Sequence, residues 1–246
     1  MLRNETIEKL KTMRLPGFVE ALEEQYESST FEEMSFEERL GLLVDREQNK
    51  RKTNRIHRLL RQAKFQNSEA CVENINYNVE RKLDKQVILE LASCQYIRHA
   101  SNVNIFGATG AGKSYLGQAL GQAACRLGIA TRYIQLPELL DEFRIAESRG
   151  LEYLIKIRKQ FSTVPLLIID EWLLFRIDER DCEHLLSLID RRHSKNSTMV
   201  ISQFNPDEWI EQMPIQVAAE AITDRLTSKA YSIVIESRES MRKAPK

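Results

Sequence analysis

The sequence predicts an α/β fold with a five-stranded parallel sheet, preceded by a small all-helical N-terminal domain. Three observations carry that prediction. After residue 102, apolar strand-like runs alternate with stretches of helical period. A glycine-rich loop separates the first of those runs from the first of those helices. The first hundred residues, by contrast, show helical spacing and no strand-like run. At 246 residues the chain is long enough for one domain of ordinary core plus an appendage. Hydrophobic residues make up 42% and charged residues 29%, a globular composition, and the formal net charge is zero. A nucleic-acid partner would therefore have to be held by a local basic patch rather than by a field from the whole molecule.

In chain order, "ETIEKLKTMRL" places Ile7, Leu10 and Met13 near one helical face, and "LPG" at 15 to 17 breaks it. Phe18, Leu22 and Tyr26 mark a second helix. A third begins at "SFEE", where Ser35 and Glu38 form a capping box, and it can run to Lys64. Charge reverses along it: nine acids and one base lie from Glu20 to Asp45, then seven Lys or Arg and no acid from 48 to 64. Residues 67–82 read as an irregular linker. "LDKQVILELASCQYI" reads as one more helix, capped by Asp84. The strand-like runs follow at 103–106, 131–136, 165–170, 198–202 and 231–235. Helical stretches between them are long enough to cross a sheet, which indicates parallel strands covered on both faces.

The chemistry begins in "GATGAGKS", which fits G-x-x-x-x-G-K-[ST] at every fixed position. Its residues, with the one that follows, are the expected nucleotide-binding set: Gly107, Ala108, Thr109, Gly110, Ala111, Gly112, Lys113, Ser114 and Tyr115. The glycines allow backbone N–H groups to turn in around phosphates, and the following helix points its positive end at the same oxygens. Lys113 is expected to reach the β and γ phosphates of ATP, and the Ser114 hydroxyl to bind Mg²⁺. A chance match in a chain this long is on the order of 1%. "LLIIDE" ends a buried run in two acids. Asp170 is expected to hold Mg²⁺ and Glu171 to act as the base that takes a proton from water. Gln203, at the end of the fourth run, offers an amide to the γ phosphate or the attacking water. Arg225 lies on a predicted helix, with Arg238 and Arg242 beyond it; each of the three also has a plain reading as a surface charge.

In the basic stretch, Ile56, Leu59, Leu60 and Ala63 form an apolar helical stripe. Arg51, Arg55 and Arg58 lie on the opposite side, with Lys50 and Arg61 beside them. Such a face either balances the acidic stretch before it or meets a polyanion, and double-stranded DNA is the polyanion expected. No aromatic residues interleave the charges, so contacts to the duplex backbone are expected, not base stacking. The four cysteines show no C-x-x-C pair and no His at ligand spacing, and read as reduced thiols. Neither a signal-peptide core nor an apolar run of ~18 residues is evident, so a cytoplasmic protein without a membrane partner is expected.

Taken together, "NVNIFGATGAGKSYLGQAL", "LLIIDEW", "LIDRRHSKNSTMVISQFNPDEW", "ITDRLTSKAYSIVIES" and "RLPGFVEAL" resemble the IstB family of insertion-sequence ATP-binding proteins, over nearly the whole chain. That resemblance implies an AAA+ P-loop ATPase related to DnaC-type helicase loaders. It implies an oligomer joined through its ATP sites that assembles on duplex DNA and delivers a target to a partner transposase. The resemblance also implies a sensor role for Gln203, where asparagine is commoner among AAA+ proteins, and an arginine finger at Arg225. The organisation expected is a DNA- or partner-binding helical domain over 1–66, the linker over 67–82 and the ATPase domain over 83–246. Two other readings remain: a helicase loader, or an architectural DNA-binding protein that binds nucleotide without turnover.

Overall fold

The computed structural model describes residues 2–77 and 82–236, with the side chains of residues 2 and 3 excluded. By compactness the chain divides into residues 1–58 and 59–246. The division falls inside one continuous helix rather than at residue 66.

The first unit consists of α1 (Leu2–Thr12), α2 (Pro16–Glu27) and most of α3 (Phe36–Ala63). The Ser35 and Glu38 capping box forms as expected: Ser35 N–H donates to Glu38 Oε2 at 2.8 Å and Glu38 N–H to Ser35 Oγ at 3.3 Å. Helix α2 buries Gly17, Val19, Ala21 and Gln25, not the Phe18, Leu22 and Tyr26 face read from the sequence. Its start explains why. A β-carbon at Gly17 would stand 2.9 Å from the Glu47 Cα, so only glycine permits that approach. Glu47 then caps the helix from 30 residues away, accepting from Gly17 N–H at 2.7 Å and Phe18 N–H at 3.1 Å. Burial pushes the Glu47 carboxyl up, but the Arg51 guanidinium and those two N–H groups outweigh it and hold it below its ordinary range.

The second unit carries the sheet, of strands β1 (Asn102–Gly107), β2 (Thr131–Gln135), β3 (Leu166–Asp170), β4 (Ser197–Ser202) and β5 (Ala230–Ile235). All pairings are parallel, in the order β2-β3-β4-β1-β5. The strand bounds agree with the sequence reading to within a residue. Strands buried on both faces must be apolar throughout, and β3 shows it: Leu166 and Ile168 join one core layer, Leu167 and Ile169 the other. On the first face lie the helix pair Lys85–Ala92 (α4) and Gln95–Arg98 (α5), with α6 (Lys113–Arg126). The opposite face is covered by α7 (Leu136–Arg149), α8 (Leu151–Thr163), α9 (Glu179–Arg192), α10 (Pro206–Glu211) and α11 (Gln216–Thr227).

Two sequence expectations need revision here. The single helix read over residues 83–97 is two, because Cys94 adopts the left-handed conformation (φ 59°) and turns the chain between them; its cap at Asp84 does form. The segment read as a linker is packed rather than loose over its first part. Ala70, Val72 and Ile75 are buried in the core layer of α6, Asn67 N–H donates to Gln118 Oε1 at 2.7 Å, and Gln122 Nε2 donates to Asn67 O at 2.8 Å. The apolar stripe read from the sequence is also packed, since Leu59 and Ala63 meet Cys125 of α6. Cys94, Cys125 and Cys182 are buried and Cys71 is half-buried. Burial pushes the Cys94 thiol up to about 11. Among the described residues no helix is long and apolar enough to cross a membrane.

Candidate functional site

Parallel strands place the loops after them along one edge of the sheet. Because β4 lies between β1 and β3, the loop after Gly107, the acids ending β3 and the residue following β4 meet there. They line a cleft of 460 Å³ that includes Thr109, Lys113, Ser114, Asp170, Glu171 and Gln203.

Each side chain is positioned by local structure. A β-carbon at Gly107 (φ 147°) would stand 2.5 Å from the Ile235 carbonyl oxygen, so the loop can leave β1 beside β5 only from glycine. Gly117 lets α6 press on the sheet, since its β-carbon would sit 2.4 Å from Ile201 Cδ1. The first N–H groups of a helix have no intrahelical acceptor, and α6 begins at the cleft. Lys113 is buried, its Nζ donating to the carbonyls of Gly107 at 2.7 Å and Ala108 at 2.9 Å. Ser114 is exposed in the cleft. Gln203 stands one residue past β4, and Thr109 Oγ1 donates to its Oε1 at 2.8 Å, which ties the amide to the loop.

Asp170 is 3% exposed and accepts twice, from Tyr133 O–H at 2.7 Å and from Glu171 N–H at 2.8 Å. Burial, and after it the charge of Asp170, pushes the Tyr133 phenol above its ordinary range, so it remains a donor. Glu171 and Leu173 both have positive φ (55° and 51°), a conformation that costs a non-glycine residue roughly 1–2 kcal/mol. That turn is held by Trp172 N–H donating to Ile201 O at 2.9 Å and by Ser202 Oγ donating to Trp172 O at 3.1 Å. It aims Glu171 into the cleft. Burial first, then Asp170 and Glu138, raise the Glu171 carboxyl, which makes it a better proton acceptor than an exposed glutamate.

The structure does not bring Arg225 to this cleft. Its carbonyl accepts from Asn102 Nδ2 at 2.9 Å, and Asn102 starts β1, roughly 16 Å of strand away from Gly107. The guanidinium pairs with Asp190 at 3.2 Å and donates to Ala221 O at 2.8 Å. Arg238 and Arg242 lie outside the described residues. Of the basic residues on α3, Lys50 pairs with Glu20, and Arg51 pairs with Glu47 at 2.6 Å and donates to Arg14 O at 3.2 Å. Those two are thus engaged by acids of their own unit, while Arg55, Arg58 and Arg61 are exposed.

Sequence reasoning missed a second cleft of 270 Å³ that shares Gly112 and Tyr115 with the first. Ile75, Leu83 and Leu116 line it with the amides of Asn74 and Asn76. Its walls come partly from the segment read as linker, whose polar composition concealed them.

A family model described as "IstB-like ATP binding protein" matches residues 8–246. The chain belongs to the IstB-like family. An insertion sequence IS1162 protein of Pseudomonas fluorescens, named for ATP binding, is 39% identical over 82% of this chain and 87% of its own length. Another insertion-sequence protein so named, y4pL of Sinorhizobium fredii, is 34% identical over 99% of this chain and 98% of its own. Among solved structures, AMPPCP-bound DnaA of Aquifex aeolicus matches with a TM-score of 0.60 at 18% identity, over 72% of this chain and 53% of that one. A DnaC helicase loader matches at 0.59 and 16%, over 68% and 97%. The second unit of this IstB-like protein thus has the fold of AAA+ P-loop ATPases.

Proposed function

We propose that this IstB-like protein is an ATPase whose nucleotide cycle controls assembly on duplex DNA and delivery of that DNA to a partner transposase. The observation that carries the reading is the meeting of Lys113, Ser114, Asp170, Glu171 and Gln203 in one cleft. The loop and the start of α6 would hold the phosphates, with Lys113 exchanging its two carbonyl partners for phosphate oxygens. The adjoining apolar cleft, flanked by two amides, suits a flat nucleobase. Ser114 and Asp170 supply hard oxygen donors of the kind Mg²⁺ takes. Bound there, Mg²⁺ would neutralise charge on the phosphates. Glu171 would accept the proton of the attacking water, and the Gln203 amide, held by Thr109, would orient the γ phosphate or that water. Relatives named for insertion sequences support the transposition context.

Lys113→Ala tests the nucleotide site. Losing a charge-assisted contact should weaken ATP binding by more than about 1.5 kcal/mol, over tenfold, as read by calorimetry. Parental affinity in the folded variant would remove the assignment.

For DNA, the ion pairs of Lys50 and Arg51 shift the expected contacts toward the exposed Arg58 and Arg61. Each phosphate contact contributes about 0.9 to the slope of log affinity against log salt. Arg58→Ala with Arg61→Ala should therefore flatten that slope by about 2 on any duplex. Arg51→Ala, which removes the ion pair on the other oxygen of the capping Glu47, should act on stability and leave the slope alone. A parental slope in the double variant would place DNA binding elsewhere.

A further inference from the structure

We propose that Tyr133 is a positioning residue for the metal-anchoring carboxylate: its hydroxyl fixes the plane of Asp170 and so the direction in which that group is presented to Mg²⁺. This rests on the reading of the cleft as an ATP site.

The geometry begins in the strand register. Gln135 of β2 stands level with Asp170 of β3, and Tyr133 is level with Ile168. Tyr133 and Asp170 are therefore diagonal neighbours on one face of the sheet, a spacing that an aromatic side chain can bridge. The Tyr133 hydroxyl reaches Asp170 Oδ2 at 2.7 Å, while the other oxygen, Oδ1, accepts from Glu171 N–H at 2.8 Å. An ionised carboxylate offers about four lone-pair sites. Two donors, one from the next residue and one from the next strand, occupy one site on each oxygen. Rotation about the carboxylate bond would break both, so the remaining sites keep a fixed direction.

Tyr133 is itself fixed. It is 2% exposed, and its ring meets Phe65 with centroids 6.3 Å apart. Phe65 in turn lies against Gly121 of α6, where a β-carbon would stand 2.7 Å from Phe65 Cε1. The helix that carries the phosphate loop therefore also holds the residue that orients the acid across the cleft. A glycine at 121 and a tyrosine at 133 serve one arrangement, and neither belongs to a nucleotide motif.

Outer partners of metal ligands commonly govern metal affinity by 10- to 100-fold. The test uses the full-length protein and its Tyr133→Phe variant, which loses only one oxygen. Binding of a fluorescent ATP analogue is measured in EDTA and then across a Mg²⁺ titration. In EDTA the variant should bind within about twofold of the parent, since no phosphate contact is touched. The Mg²⁺ concentration that gives half of the metal-dependent gain in affinity should rise about 10- to 100-fold. A folded variant with the parental Mg²⁺ requirement overturns the proposal, and so does loss of binding in EDTA, which would make the hydroxyl a structural support only. A parent protein that binds no analogue in either condition overturns instead the reading of the cleft on which the proposal rests.

Discussion

Glu171→Gln is expected to lower ATP hydrolysis by about 10²- to 10⁴-fold, the usual range for a lost general base, while ATP stays bound. The amide keeps the size of the side chain and takes no proton from water. Binding should persist because the proposed phosphate contacts come from the loop that ends in Lys113 and Ser114, not from Glu171. The backbone should also tolerate the change. The left-handed turn at Glu171 is held by the Trp172 N–H and the Trp172 carbonyl, contacts that glutamine leaves in place. In the proposed cycle, with hydrolysis as the step that ends the DNA complex, nucleotide-dependent complexes on DNA should then last longer. Single-turnover hydrolysis and an equilibrium binding measurement on the same preparation separate the two effects. Hydrolysis at the parental rate would move the base to another residue.

The sheet and the cleft were legible because their signals are local. A strand buried on both faces writes a continuous apolar run, and the phosphate loop must carry glycines at fixed spacing, so β1 to β5 and Gly107 to Ser114 could be read directly. What the sequence concealed depends on partners far along the chain. Nothing near Glu47 shows that it caps α2 across 30 residues, and nothing near Tyr133 shows that it will meet Asp170, 37 positions later. The break at Cys94 was hidden because a cysteine carries no turn signal, although its backbone is left-handed. The segment after Asn67 looked like a linker for a related reason. Its polar residues outnumber Ala70, Val72 and Ile75, yet those three are what it buries. Charge runs were legible as runs, but their pairing between helices was not: Lys50 meets Glu20 only because α2 and α3 pack together.

A 1:1 mixture of Arg225→Ala and Lys113→Ala proteins is expected to regain ATPase activity that each lacks alone. An arginine offered to a γ phosphate raises turnover by about 10³- to 10⁵-fold, so Arg225→Ala by itself should be nearly inactive. The placement of Arg225 argues that it acts across a subunit boundary if it acts at all. Its backbone is anchored to Asn102 at the start of β1, while the phosphate loop leaves the far end of that strand at Gly107. No rotamer of one arginine spans that length, so its own cleft is out of reach. A neighbour arranged head to tail, with that edge against the next cleft, would bring it to the phosphates. Its present partners, Asp190 and the Ala221 carbonyl, hold the guanidinium at that edge and would have to release it. In a random mixture the competent pairing joins an intact Lys113 on one subunit to an intact Arg225 on the next, so roughly a quarter of the sites should work. Recovery well above the sum of the separate variants, rising with co-assembly and absent when the two are kept apart, is the expected result. Mixtures shown to co-assemble but without recovery would mean that Arg225 serves only its ion pair with Asp190, and that charge on the phosphates is met from within the same subunit.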